Sequence, residues 1–507
     1  MATAKKTASH AKRPVAKKAK AKKAKAKKAA PKKAKKVKTA KKAKTAKKAK
    51  TAKKAKKATT KKPGAGSQPP APGPSAPPAS SGQNPGGLRV RMYRVGFGDF
   101  FLLTVPTGTG PKHVLIDCGV HAKDLGSIRD AVAQMAVDCG SKLALVIMTH
   151  RHADHISGFG TCAEAFGQIS VDRVWMPWFE DTGNKTAMAF QSSLTALAGR
   201  LTARLAARGD ADSPLSAMAD NITGGMAASG GSNNQKALDV LHNGFKNKDA
   251  AHDYYRAGDE PTLPKDLVDA GFSAQILGPP GDLSLISKMT NKNNQFLTEA
   301  TESDDEMPRS FPKPFQVAED KYPKDAFKFF AADTIKKLID AAQPDVLAAQ
   351  AKLADNTLNN QSLVILFSFG NKNLLFAGDA QWGNWENFLY GGAFGTPGHT
   401  EMTDKATAIL GKLDFYKVGH HGSTNATPKD AVAAMRLGCV GMCSTQIHAY
   451  NEVPREPLLQ ALSARMQGQL ARSDQVAVDK EGPNAAAGPL PTKFKEPTGK
   501  LFIDYEF

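Results

Sequence analysis

Apolar residues fall into short blocks of strand length along this chain, and what stands at their ends is as informative as the blocks. Arg89-Val90-Arg91-Met92-Tyr93-Arg94-Val95 alternates like a half-buried strand. Gly96-Phe97-Gly98-Asp99 turns, Phe100 to Val105 returns as a strand, Pro106 to Gly110 turns again, and His113 to Gly119 makes a third strand. Helical spacing over 125–138 leads into Leu143 to Met148, an apolar run that reads as a buried strand. Residues 181–268 change character: a helix over 194–207 lies among Gly/Asn/Ser-rich turns, which reads as an insertion. Ser273 to Pro280 resumes a strand. Residues 281–355 are polar again, acidic in the middle and helical near Phe327 to Ala351, a second insertion. Ser362 to Phe369, a turn at Asn371-Lys372-Asn373, and Leu374 to Asp379 form a hairpin; Phe415 to Val418 is a last short strand. Hairpins followed by helix and strand predict mixed α/β layers, in one large domain over 88–507.

Charge divides the chain before this domain begins. Residues 1–62 hold 29 of the 70 Lys and Arg and no Asp or Glu, so the remainder has 41 basic against 47 acidic residues and a formal charge of −6. The overall +23 therefore belongs to the tail. Its Lys/Ala repeat lacks aromatic residues and cannot bury enough apolar surface to offset chain entropy, so disorder is expected over 1–62. Residues 63–87 form a Pro/Gly/Ser linker. The N-terminus has no apolar segment of signal-peptide type, and no apolar run reaches membrane-spanning length. The five cysteines at 118, 139, 162, 439 and 443 include no C-x-x-C, which fits a reduced, intracellular chain; Cys439 and Cys443 read as small buried hydrophobes.

The chemistry lies at strand ends. After Leu143 to Met148 comes Thr149-His150-Arg151-His152-Ala153-Asp154-His155. Three imidazoles and a carboxylate beside a buried strand need a partner that offsets their desolvation, and a divalent metal is that partner. Asp379 ends another buried strand, after Gly378, and Gly419-His420-His421-Gly422-Ser423 ends a third. Together they suit two ions about 3.5–4 Å apart: one held by His150 and His152, the other by Asp154, His155 and a histidine of the 420–421 pair, with Asp379 between them. Such ions lower the pKa of a bound water toward about 7 and clamp the oxygens of an in-line displacement. Zinc is the first expectation from the His/Asp set and manganese the second. Asp117 reads as a group that orients a ligand histidine. Ser423, Thr424 and Asn360 are candidate phosphate donors, equally explained as turn residues. His399 looks like a metal motif but follows Asp379 by 20 residues and reads as a loop histidine; His242 and His252 are expected at the surface.

The segments VGFGDFFLL, HVLIDCG, ALVIMTHRHADHISG, NNQSLVILFSFGNKNLLFAGD and FYKVGHHGS, in that order, resemble the metallo-β-lactamase fold, and within it the ComEC-type soluble hydrolase domain. The resemblance implies a four-layer αββα sandwich with metals at one edge of the sheets, and hydrolysis of phosphodiesters, DNA included. It implies His421 as the ligand of the 420–421 pair, leaving His420 to contact or protonate the leaving group; Asp154 and His420 are thus the candidate catalytic residues. This chain departs from the family pattern at Ser157, where a Gly is usual, and at Arg94 and Phe97. The segment from His448 to Pro454 matches the closing motif only loosely, and no third protein ligand for the first metal stands out. The tail resembles the Lys/Ala/Pro tails of histone-H1-like bacterial proteins.

Two functions follow as expectations. The first is a metal-dependent phosphodiesterase or nuclease tethered to DNA by Lys5 to Lys62, since a polycation binds duplex backbone without reading sequence; its place is then the cytoplasm, with the nucleoid. The second is a DNA-associated protein whose hydrolase domain cleaves a small ester, lactone or phosphodiester, because one fold supports many chemistries.

Overall fold

In a computed structural model the described residues are 87–121, 126–208, 233–297, 355–447, 449, 453–475, 490–496 and 501–507, all within the compact unit Ala79–Phe507. The Lys-rich tail, the linker, the acidic stretch, the helix expected near 327–351 and much of the segment from His448 to Pro454 lie outside them.

Fourteen strands are described: β1 Arg89–Tyr93, β2 Phe100–Val105, β3 Lys112–Cys118, β4 Lys142–Ile147, β5 Ser170–Pro177, β6 Ala251–Tyr255, β7 Phe272–Gly278, β8 Val364–Phe369, β9 Lys372–Phe376, β10 Phe415–Lys417, β11 Val440–Cys443, β12 Leu470–Arg472, β13 Phe494–Lys495 and β14 Phe502–Glu506. One sheet runs β13-β14-β1-β2-β3-β4-β5-β6 and the other β12-β11-β10-β9-β8-β7. Each joins an antiparallel part to a parallel part: β3 to β6 are parallel in the first, β9 to β12 in the second.

Alternation along the strands sorts the core into three slabs. Phe101, Leu103, Ile116 and Ile147 of the first sheet meet Ile365, Phe367, Phe376 and Met442 of the second. The opposite faces carry Leu102, Leu115 and Val146, packed against the helices Ile128–Asp138 and Ala153–Thr161. Leu366, Leu375 and Tyr416 pack against the helices Trp382–Tyr390, Asp404–Gly411 and Glu456–Arg465. Because β2 is buried on both faces, it reads as an unbroken apolar run. The layers are helix, sheet, sheet, helix: the αββα sandwich that the sequence leads one to expect.

The segment 181–268 contributes to the layers. Its helix begins at Lys185, nine residues earlier than its spacing suggested, and runs to Arg208. It also supplies β6, parallel to β5, and the helix Asn233–Asp239 against Ala153–Thr161. All five cysteines are free and buried. No helix among the described residues is long and apolar enough to cross a membrane.

Candidate metal centre

Parallel strands of both sheets send their carboxyl ends to one edge, where ligands of open α/β sheets bind. β3 carries Asp117 at its last position but one, β4 leads to the histidine loop, β9 to Gly378-Asp379, β10 to His420-His421 and β11 to Ser444. The loop after β4 turns at once into the helix Ala153–Thr161, so Asp154 occupies its first turn. Gly119 makes this approach feasible: a Cβ there would lie 2.3 Å from the Asp154 carbonyl carbon and the His155 nitrogen. Gly378 has φ +50° and passes close over Thr149 and Ser362, so a side chain there is both strained and obstructed.

Ligand atoms of Asp154, His155, Asp379 and His421 all lie within 4.8 Å of one another, with His155, Asp379 and His421 buried. Asp379 Oδ2 is 3.1 Å from His155 Nε2 and 3.4 Å from His421 Nε2, and Asp154 Oδ2 is 3.2 Å from His421 Nε2. His155 Nε2, His421 Nε2 and Asp379 Oδ1 are buried without hydrogen-bond partners among the described residues. Desolvated atoms of this kind, converging on one point, fit a cation.

The outward nitrogens are held. His155 Nδ1 is 2.7 Å from Asp117 Oδ2, and Asp117 also accepts from the Thr149 N–H at 2.7 Å and its hydroxyl at 2.6 Å. His421 Nδ1 donates to the Ser444 carbonyl at 2.8 Å. Both contacts leave Nε2 as the inward, lone-pair nitrogen, the tautomer a metal requires. His420 and His421 have φ of 44° and 50°, left-handed values that are sparsely populated away from glycine. The turn brings both rings toward Asp379 Oδ2, with His420 Nε2 at 3.9 Å and His421 Nε2 at 3.4 Å.

Electrostatics match the geometry. Burial opposes charging of His155, but the carboxylates of Asp379 and Asp117 outweigh it and hold the imidazole well above its ordinary range. His421, likewise buried, is pushed up to about 10 by Asp379 and Asp99. Burial works against ionisation of Asp379 and Asp154, yet the surrounding histidines hold both carboxyls below the usual carboxylate range. In the ion-free protein the carboxylates thus draw protons onto His155 and His421, and a cation entering the centre displaces them.

His150 and His152 stand beside this group. His150 Nε2 is 3.0 Å from His152 Nδ1, and His150 Nδ1 is 3.2 Å from Ser362 Oγ, so Nε2 and Nδ1 form a two-nitrogen face. His420 is half-buried, its Nδ1 3.1 Å from Asn425 Oδ1 and its Nε2 3.9 Å from Asp379 Oδ2. Arg151, between the two histidines, forks onto Glu180 at 2.9 and 2.6 Å in a buried ion pair.

Other expected residues are placed differently. Asn360 is fully buried: its Nδ2 donates to the Ile286 and Lys288 carbonyls, and its Oδ1 accepts from the Gln381 and Asn384 N–H groups. Its amide is committed to backbone and offers a phosphate nothing. Ser423 and Thr424 are half-buried on the turn after His421. His399 bonds the Tyr390 carbonyl at 2.9 Å, as a loop histidine does. His242 and His252 are half-buried and stack at 5.9 Å, where exposed positions were expected. Ser157 clamps Val120, donating to its carbonyl and accepting from its N–H. Arg94 donates to the Ser473 carbonyl at 2.7 Å, and the Phe97 ring packs 4.3 Å from His421.

Three charged residues of the site were not singled out from sequence. Asp99 touches His155 Nδ1 at 3.7 Å and His421 Nδ1 at 3.6 Å and is ion-paired with buried Lys417. Lys417 Nζ also reaches Asp379 Oδ1 at 3.8 Å, and these carboxylates keep it charged against its burial. Asp355 faces His152. A lone lysine inside the apolar strand Phe-Tyr-Lys-Val, and an aspartate directly before Phe100, were the available signals, since neither residue type belongs in a core without a partner.

No protein-family model matches the chain, and no curated protein matches it. Among solved structures, a β-lactamase domain protein from Burkholderia ambifaria is similar over 38% of this chain and 45% of its own, at 15% identity and a TM-score of 0.20. The match thus spans less than half of that structure, and a likeness of this degree carries no argument about activity.

Proposed function

We propose that this protein is a metal-dependent phosphodiesterase acting on DNA, with Lys5 to Lys62 as the segment that holds the substrate. The observation that carries the reading is the convergence of Asp154, His155, Asp379 and His421 on one buried point. Two divalent ions, zinc before manganese, supply an activated water and positive charge for in-line displacement at phosphorus. The protein does the rest. His155, His421 and Asp154 would hold one ion and His150 and His152 the other, with Asp379 as a ligand the two could share. His420 stands on the open side. With Nδ1 donating to Asn425, its Nε2 accepts a hydrogen bond, so it must take a proton before it can pass one to a leaving group.

The tail supports DNA as substrate, because 29 cationic residues without an acid give strong, salt-dependent attachment to phosphate backbone. One observation favours a second reading, hydrolysis of a small ester, lactone or phosphodiester by a DNA-associated protein. The body carries a formal charge of −6 and offers no overall attraction to a polyanion. Nucleoid association rests on the tail in either reading.

The test compares zinc- or manganese-loaded protein, protein lacking residues 1–85, and Asp379→Ala on linear single- and double-stranded DNA and on a small aryl phosphodiester. DNA cleavage lost in Asp379→Ala, with a KM for DNA that rises on tail deletion while the small diester is unaffected, supports the nuclease. Hydrolysis of the small ester alone, by protein with bound metal, supports the second reading. No hydrolysis by metal-loaded protein on any substrate defeats both.

A further inference from the structure

The outward nitrogens of the two metal-facing groups meet different carboxylates. His155 and His421 are backed by Asp117 and Ser444, at the ends of β3 and β11. His150 and His152 are backed from a short stretch, residues 355–362, directly before β8, and His150 Nδ1 also lies 3.2 Å from the Thr149 hydroxyl, which reaches His155 Nδ1 at 3.3 Å. Ser362 Oγ meets His150 Nδ1 at 3.2 Å, and Asp355 Oδ1 meets His152 Nε2 at 3.2 Å. The stretch is firmly seated: Ser362 also accepts from the Asp379 N–H at 3.0 Å, and the Leu363 N–H donates to the Thr149 carbonyl at 3.0 Å.

We propose that Asp355 is the positioning residue of the first metal: it takes the Nε2 side of His152 and so leaves Nδ1 to bind the ion beside His150 Nε2. The inference rests on the two-ion reading above and goes beyond it by giving each ion its own support. His152 is the residue for which this matters. It is 6% exposed, and its Nε2 forms an ion-pair contact with Asp355 but no aligned hydrogen bond among the described residues. With Nδ1 facing His150 Nε2 at 3.0 Å, the ring has one nitrogen for a metal and one for an orienting carboxylate. A carboxylate behind a ligand imidazole fixes ring and tautomer and raises its basicity; its loss costs 10- to 100-fold in metal affinity. Among the described residues Asp355 contacts no other part of the site, and its side chain is 21% exposed, so a substitution leaves the sandwich intact.

The test is a zinc titration of the full chain, stripped by chelator, read by calorimetry and by metal content after dialysis. Wild type, Asp355→Asn, Asp355→Glu and Asp117→Asn are compared. The expected result is two equivalents in wild type. In Asp355→Asn one equivalent is weakened 10- to 100-fold and the other is unchanged; Asp355→Glu recovers part of the loss, and Asp117→Asn weakens the other equivalent. Two unchanged equivalents in Asp355→Asn overturn the positioning role and leave the two-ion reading standing. Equal weakening of both, with unaltered circular dichroism, overturns the separate supports. A wild type that binds no zinc or manganese overturns this inference together with the reading beneath it.

Discussion

Lys417 shows how single residues decide this centre. An ammonium group buried between Asp99 and Asp379 puts one fixed positive charge where four carboxylates, counting Asp117 and Asp154, crowd two histidines. Removing one partner of a buried ion pair leaves an uncompensated charge and costs about 3–5 kcal/mol. Lys417→Met is therefore expected to lower the stability of the chelator-treated protein by that amount in urea unfolding; an unchanged midpoint would mean that the pair is not charged in the folded state. His113, away from the site, carries a pH-dependent contribution. Burial and neighbouring Arg89 push its imidazole down to about 4 from 6.5. Because the folded value lies below the unfolded one, the stability it supports is complete above about pH 6.5 and is lost as pH falls through 4. The difference is about 3 kcal/mol. His113→Gln should flatten the decline in unfolding free energy between pH 7 and pH 4; a slope identical to wild type would dismiss the assignment.

At the scale of elements, the edge of the sandwich depends on close backbone approach. Gly119→Ala puts a methyl 2.3 Å from the backbone of Asp154 and His155, so the helix Ala153–Thr161 must move. Overpacking of this kind costs typically 1–3 kcal/mol. The variant should lose a zinc equivalent and unfold at lower urea, whereas Gly108→Ala, which meets nothing within 4 Å, should do neither. The strands legible in the sequence were those with unbroken or alternating apolar runs, such as β2, β4 and β8. β5 was hidden by Asp172 and Arg173 in its middle and Pro177 at its end, and β11 by its four-residue length and its glycine. Histidines and aspartates at strand ends stood out because they have no packing use there. Asp99, Lys417 and Asp355 did not, because a buried charge explains itself only through its partner. Those partners lie 38 to 322 positions away in sequence, from Asp379 beside Lys417 to His421 beside Asp99.

Over the whole molecule, the centre joins the two sheets. Asp154 and His155 follow strands of the first, Asp379 and His421 strands of the second. An ion bound by all four is a cross-link between halves that also meet through the apolar slab and the Asp99–Lys417 ion pair. Ligands that bind only the folded state stabilise it by about 2.7 kcal/mol at a hundredfold excess over Kd. Zinc should accordingly raise the thermal midpoint of chelator-treated wild type, and Asp379→Ala should show no such rise; equal shifts in both proteins would place the stabilising ions elsewhere.

β1 lies between β2 and β14, and Arg91 at its centre bonds both carboxylate oxygens of Asp504 at 2.7 Å. The strand that opens the sandwich and the one that completes its pairing are thus 413 residues apart at that contact. On a ribosome, β1 emerges first and waits through the synthesis of nearly the whole domain for its neighbour. Until Glu506 has left the exit tunnel, one side of β1 is an open edge, able to pair with any extended chain it meets. Until then the nascent protein carries an unpaired strand that Phe502 to Glu506 must reach before another chain does.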